Sequence, residues 1–245
     1  MYVLDEPSEG DREPVRIAVL RNHPGNYTGR MITSYLEEAG ADVTDFKAYK
    51  GELPNPDEFD GIIGSGSPYN VREHRDDEWI QAEQELYRSS KRPVLGICFA
   101  HQLLAESYDG RTDKAEGYEL ERGPTKVHLT EKSPLFKGLD EEVIMAEYHG
   151  DEVTEVPRGF KVTAYSDLCE VQGMQHKRKP VYAVQFHPEW GSQLEDDGLD
   201  NDAGYQLLDN FLAIAQKAKV RREAPWYKKV GLAIGDGFEH LFGED

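Results

Sequence analysis

A chain of 245 residues with 38% hydrophobic content suits one sizeable domain with appendages rather than two domains of equal rank. Its 47 acidic against 28 basic residues give a formal charge of −19, which excludes nucleic acid as a main partner because phosphate binding needs a cationic surface. Cys98 and Cys169 are the only cysteines, with no C-x-x-C pair and no Cys/His cluster, which argues against a disulfide framework or a bound metal and fits a reducing, cytoplasmic setting.

Residues 1–14 form an acidic lead of disorder-like composition, without the cationic start and apolar run of a signal peptide. No later run has the length of a bilayer span, so no membrane partner is expected. Val15-Arg16-Ile17-Ala18-Val19-Leu20 reads as a buried strand, and residues 30–39 carry apolar side chains at helical spacing until Gly40 closes the helix. Asp42-Val43-Thr44-Asp45-Phe46 and Phe59-Asp60-Gly61-Ile62-Ile63 read as further strands, the second running into the small-residue loop Gly64-Ser65-Gly66-Ser67-Pro68. A helix over 77–88 and the strand Pro93-Val94-Leu95-Gly96-Ile97 follow. This alternation predicts an α/β three-layer sandwich with a mainly parallel sheet, of flavodoxin-like type.

From Lys126 the pattern changes to short β-like runs at 127–129, 143–145, 161–165, 170–172 and 181–186, which extend the sheet or add short antiparallel strands in a small layer. The stretch 195–202 reads as a solvated acidic loop. A last helix over 203–218 places Leu207, Leu208, Phe211, Leu212 and Ala215 on one face. These boundaries divide the chain into an N-terminal extension (1–14), an α/β domain (15–218) and a C-terminal extension (219–245). The basic run from Lys217 is read either as a segment lying on the acidic body or as a docking element for another subunit.

Cys98 stands where the strand ending at Ile97 turns into the helical pattern of residues 99–106. A thiol on such a turn is exposed on a sharp bend and has unpaired helix amides beside it, and the positive end of the helix dipole favours its thiolate. Cys169 lacks this context and reads as inert packing. Gln185-Phe186-His187-Pro188-Glu189 supplies an imidazole to move the proton and a carboxylate to hold the ring by its other nitrogen. In an extended segment His187 and Glu189, two apart, share a side. The loop 64–68 can bring its amides close to a substrate, with the Phe99 amide as the second donor to an oxyanion.

Four motifs, in this order along the chain, carry a family resemblance: Ser65-Gly66-Ser67-Pro68, Gly96-Ile97-Cys98-Phe99-Ala100-His101-Gln102, His149-Gly150-Asp151-Glu152-Val153 and Phe186-His187-Pro188-Glu189. Over residues 15–218 the chain resembles the class I, triad-type glutamine amidotransferases, within them the GMP-synthase-like branch. The resemblance implies a γ-glutamyl thioester on Cys98, with His187 and Glu189 completing the triad. It also implies an oxyanion hole from the Ser67 and Phe99 amides, and substrate contacts from Gly66, Gln102 and His149; His101 would anchor the elbow helix. L-glutamine is then the substrate and no cofactor is needed. The chain carries neither an S-G-G-x-D-S nor a G-x-x-x-x-G-K-[ST] phosphate loop, so the ammonia is expected to reach a separate ATP-dependent synthetase. Two alternatives keep the resemblance: a γ-glutamyl peptidase or hydrolase using the same triad, and a non-catalytic regulatory subunit.

Two positions depart from the family pattern. Ala100 replaces the usual elbow glycine, and Ser67 stands where many members have glycine before the proline. If either position takes positive φ, the strain is on the order of 1–3 kcal/mol.

Overall fold

The computed structural model describes residues 13–25, 27–115, 121–130, 133–191 and 202–224. The acidic lead up to residue 12, the acidic stretch 195–201 and the tail beyond residue 224 lie outside the described residues.

The first half alternates as its sequence pattern requires: β1 (Arg16–Leu20), α1 (Tyr27–Glu38), β2 (Asp42–Phe46), β3 (Gly61–Gly64), α2 (Glu78–Ser89), β4 (Val94–Ile97) and α3 (Phe99–Ser107). Then come β5 (Arg111–Lys114), β6 (Glu121–Leu129), β7 (Glu142–His149), β8 (Asp151–Glu155), β9 (Phe160–Tyr165), β10 (Gly173–His176), β11 (Val181–Val184) and α4 (Asp202–Glu223). Nine strands form one sheet in the order β2-β1-β3-β4-β11-β10-β9-β6-β7. The five strands from β2 to β11 pair in parallel, and the four that follow are antiparallel.

Side-chain alternation along the parallel strands builds two cores. Ile17, Val19, Ile63, Leu95, Ile97, Tyr182 and Val184 point to the face covered by α1 and α4, where Ile32, Leu36, Leu207, Leu208 and Phe211 are buried. Ala18, Leu20, Ile62, Val94, Val181 and Ala183 point to the other, against Ile80, Leu86 and Tyr87 of α2 and Phe99 and Leu103 of α3. Strands buried on both faces need continuous apolar runs, which is why these short segments read so clearly. Burying each large apolar side chain contributes roughly 1.5–3 kcal/mol.

The second half departs from its pattern in places. Residues 170–172, expected as a strand, form a turn, and the strand starts at Gly173. The Ser166 hydroxyl explains this: it accepts the amides of Leu168 and Cys169 and an Nε2 proton of Gln172, curling the chain before it enters the sheet. β11 stops at Val184, two residues short of the expected end. β5 and β8 pair with each other in a separate two-stranded sheet; neither has the apolar alternation that marks a strand. α4 runs on past residue 218 to Glu223. There the basic run begins to bind the body: Arg222 Nη2 donates to Asp60 Oδ1 at 2.5 Å, Lys219 Nζ lies 3.7 Å from Oδ2, and the Arg16 amide donates to Oδ2 at 3.0 Å. Burial by itself would raise the Asp60 pKa, but the Arg16 amide and the Arg222 guanidinium outweigh it and hold the carboxyl below its usual range.

β1 has β2 on one side and β3 on the other, so the chain changes direction between β1 and β3. In open α/β sheets, ligands bind at the carboxyl ends of the strands beside such a switch point. The loops after β1, β3, β4 and β11 all leave from that edge. No helix among the described residues is long and apolar enough to cross a membrane.

Candidate active site

Cys98 follows β4 directly and caps α3, with φ 52° and ψ −105°. Its amide donates to Val184 O at 2.9 Å and its carbonyl accepts from the Gln102 amide at 3.1 Å, so both sides of the bend are pinned. The bend is tight enough that a Cβ at Gly96 would lie 2.5 Å from Leu104 Cδ1 and 2.6 Å from Ala100 O. Glycine is required there for close approach. Positive φ falls on Cys98 itself and on neither Ala100 nor Ser67. Ala100 is helical, and its methyl packs where a Cβ on Gly64 would be, 2.6 Å away. The strain expected at the atypical positions is therefore stored at the thiol-bearing residue, which is buried rather than exposed, its Sγ 3.9 Å from Tyr148 O.

His187 is buried and its ring reaches the Cys98 thiol on one side. On the other, Nδ1 lies 2.8 Å from Glu189 Oε1, and that carboxylate is buried too. The segment is not extended. His187 forms an isolated bridge with Ala146, donating its amide to Ala146 O at 2.9 Å, and the chain then turns, with the Trp190 amide on His187 O at 3.2 Å. The turn curls Glu189 back onto the imidazole, and the Trp190 ring stacks on it at 4.1 Å and 12°. Burial acts to lower the His187 pKa, but the Glu189 carboxylate and the Cys98 sulfur outweigh it, so the ring is held well above its ordinary value. An imidazole so placed can accept a thiol proton and return it to a leaving group.

Gly66 lies against this pair, and Phe99 opens α3, where the first amides have no carbonyl within the helix to meet. Gln102 is buried and braced: Nε2 donates to Asp151 O at 2.7 Å and to Gln185 Oε1 at 3.2 Å. Any hold it has on a substrate falls to Oε1. His149 is also buried, with Nδ1 3.1 Å from Asp151 O and Nε2 3.3 Å from Glu147 Oε2. Arg72 Nε donates to Asp151 Oδ2 at 2.8 Å and ties β8 to the segment before α2.

His101 is fully buried in α3 beside the backbones of Ala183 and Val171. Burial and the neighbouring His149 push its pKa down to about 3. The unfolded chain takes up this proton near 6.5, so between about 6.5 and 3 the unfolded state binds more protons and stability falls with falling pH, on the order of 1.4 kcal/mol per pH unit. Urea midpoints measured between about pH 7 and 5 should fall more steeply for wild type than for His101→Gln.

Trp190, Arg72 and Asn22, whose side chain and amide bond Ser65 in the loop after β3, carry no motif by which a sequence could single them out. Only Trp190 leaves a signal, by adjoining Glu189.

Comparison with known proteins gives the family. Residues 25–205 fit the family model for class I glutamine amidotransferases. The chain belongs to the class I glutamine amidotransferases. A subunit of the glutamine-hydrolyzing GMP synthase of Methanocaldococcus jannaschii is 37% identical over 198 residues, covering 80% of this chain and 96% of that protein. The protein of the same name from Methanopyrus kandleri is 43% identical over 129 residues, 53% of this chain and 66% of that one. A crystal structure of a candidate GMP synthase subunit from Thermoplasma acidophilum superposes with a TM-score of 0.73 at 28% identity, covering 87% of this chain and 100% of that one. The amidotransferase is of the GMP-synthase-like kind.

A Cβ on Gly66 would lie 2.8 Å from His187 Cε1 and 3.5 Å from Cys98 Cβ. In this amidotransferase Gly66→Ala is expected to lower kcat for glutamine hydrolysis by about 10–100-fold, since the ring must move aside, and to leave the thermal midpoint nearly unchanged. Steady-state kinetics beside a melting curve checks both halves.

Proposed function

We propose that this enzyme is the glutamine-hydrolysing subunit of a two-chain GMP synthase, delivering ammonia to a separate ATP-using synthetase in a reducing cytoplasm. The observation that carries this reading is the match over 96% of the length of a relative that is itself one subunit of a glutamine-hydrolyzing GMP synthase. The contact of Cys98, His187 and Glu189 at the carboxyl edge of the sheet supports it. The Cys98 thiolate attacks the side-chain amide carbon of L-glutamine. The resulting oxyanion accepts the Ser67 and Phe99 amides. His187, held by Glu189, protonates the leaving nitrogen, and ammonia departs as the γ-glutamyl thioester forms. A water then gives its proton to His187 and attacks the thioester, and glutamate leaves as the thiol is restored. Gly66 gives the substrate room beside the ring. Gln102 and His149 border the site, with Gln102 also fixing α3 to β8.

The test is glutamate release from glutamine by the purified protein, alone and with the GMP-forming synthetase chain of the same organism, with a γ-glutamyl dipeptide assayed in parallel. Release from glutamine that rises with the synthetase is the expected result. No release under either condition, or preference for the dipeptide, overturns the proposal.

A further inference from the structure

Glu83 is a fully buried carboxyl on the inward face of α2, at helical spacing with Ile80, Leu86 and Tyr87. A buried carboxyl is costly without a counter-charge, and among the described residues no cation pairs with it. A leucine would serve the core better. What the carboxyl does instead is accept at Oε1 from the Tyr87 hydroxyl at 2.5 Å and from Asn22 Nδ2 at 3.2 Å.

Asn22, buried in the loop after β1, passes this hold to the loop after β3. Its Nδ2 also donates to Ser65 O at 3.1 Å, its amide donates to Ser65 Oγ at 3.2 Å, and its carbonyl accepts from Ser67 Oγ at 3.0 Å. Ser65 Oγ donates onward to Gly66 O at 3.1 Å. Tyr87 touches the same loop directly: its hydroxyl sits 2.0 Å from where a Gly64 Cβ would stand. Every residue from Gly64 to Ser67 is thus bonded to, or shaped by, a group that Glu83 holds or a neighbour of one. The hydroxyl of Ser67, the atypical residue of this loop, is one of the ties.

The geometry points to Glu83 as a positioning residue that, through Asn22 and Tyr87, fixes the loop 64–67 so that the Ser67 amide faces the oxyanion. This rests on the glutaminase reading above. Burial raises the Glu83 pKa to about 7, so its ionisation changes near neutrality. Tyr87 from its own helix is the titratable group facing it among the described residues, and Asn22 from the loop after β1 carries no charge. The ionised carboxylate holds both donors more strongly than the acid does.

The experiment measures kcat and KM for glutamine between about pH 5.5 and 9, with the synthetase chain present, for wild type, Glu83→Ala, Glu83→Gln and Ser67→Ala, beside melting curves. Glu83→Ala should lose about 10–100-fold in kcat with KM within about threefold, because a misaimed donor costs transition-state binding. Glu83→Gln keeps an acceptor for Tyr87 and Asn22; it should recover kcat to within about threefold and lose any inflection near pH 7. Ser67→Ala, whose amide is intact, should lose about 3–10-fold. Wild-type kinetics in Glu83→Ala overturns the proposal, as does a Glu83→Gln protein no better than Glu83→Ala at equal thermal midpoint. If Glu83→Ala does not fold, an unchanged inflection in Glu83→Gln with wild-type kcat in Ser67→Ala overturns it. Failure of the glutaminase reading looks different: the wild type itself is then inactive.

Discussion

Cys98→Ala is expected to lower kcat for glutamine hydrolysis by at least about 10⁴-fold while leaving glutamine binding measurable. Removing the nucleophile removes the covalent route, and the amides of α3 and of the loop after β3 can still bind but have no thioester to stabilise. Coupled glutamate detection on enzyme freed of contaminating glutaminase checks the rate. A residual kcat within tenfold of wild type would remove Cys98 from the nucleophile's role. A companion variant tests the backbone. At φ 52° and ψ −105° an L side chain is strained by about 1–3 kcal/mol, and glycine is not. Cys98→Gly should therefore be inactive yet melt no lower than wild type, the pattern of a site whose strain serves activity rather than stability.

Glu189→Gln is expected to lower kcat by about 10²–10⁴-fold with KM little changed, by analogy with loss of the acid in other triads. The buried His187 owes its raised pKa to Glu189 and to the Cys98 sulfur, working against burial. An amide at position 189 withdraws the first of these, so burial weighs more and the His187 pKa falls. The imidazolium that protonates the leaving nitrogen is then lost at lower pH, and the basic limb of the kcat/KM profile should move toward acid. An unshifted profile with near-wild-type kcat would reduce Glu189 to packing.

Much of the fold was legible because the parallel strands are buried on both faces and so carry continuous apolar runs, as at Ile17-Ala18-Val19-Leu20 and Val94-Leu95-Gly96-Ile97. β5 and β8 were not, since Arg111–Lys114 and Asp151–Glu155 are held by pairing to each other and carry no apolar period. The turn at residues 170–172 has a related cause: Glu-Val-Gln has strand propensity, and the amide and hydroxyl of Ser166, four to six residues earlier, override it.

By itself the sequence determined the family, the α/β order and the identity of the candidate triad, because these depend on residue type, spacing and order along the chain. Tertiary structure decided where the strain falls, how Glu189 meets His187, and what stands behind the loop at Ser65-Gly66-Ser67-Pro68. Cys98, rather than Ala100 or Ser67, takes positive φ, at a bend whose amide is held by Val184 O from a neighbouring strand. Glu83 lies 61 residues from Asn22 and shares no motif with it. Burial on a common helix–sheet interface brings the two together, and a contact of that kind has no period for a sequence to display.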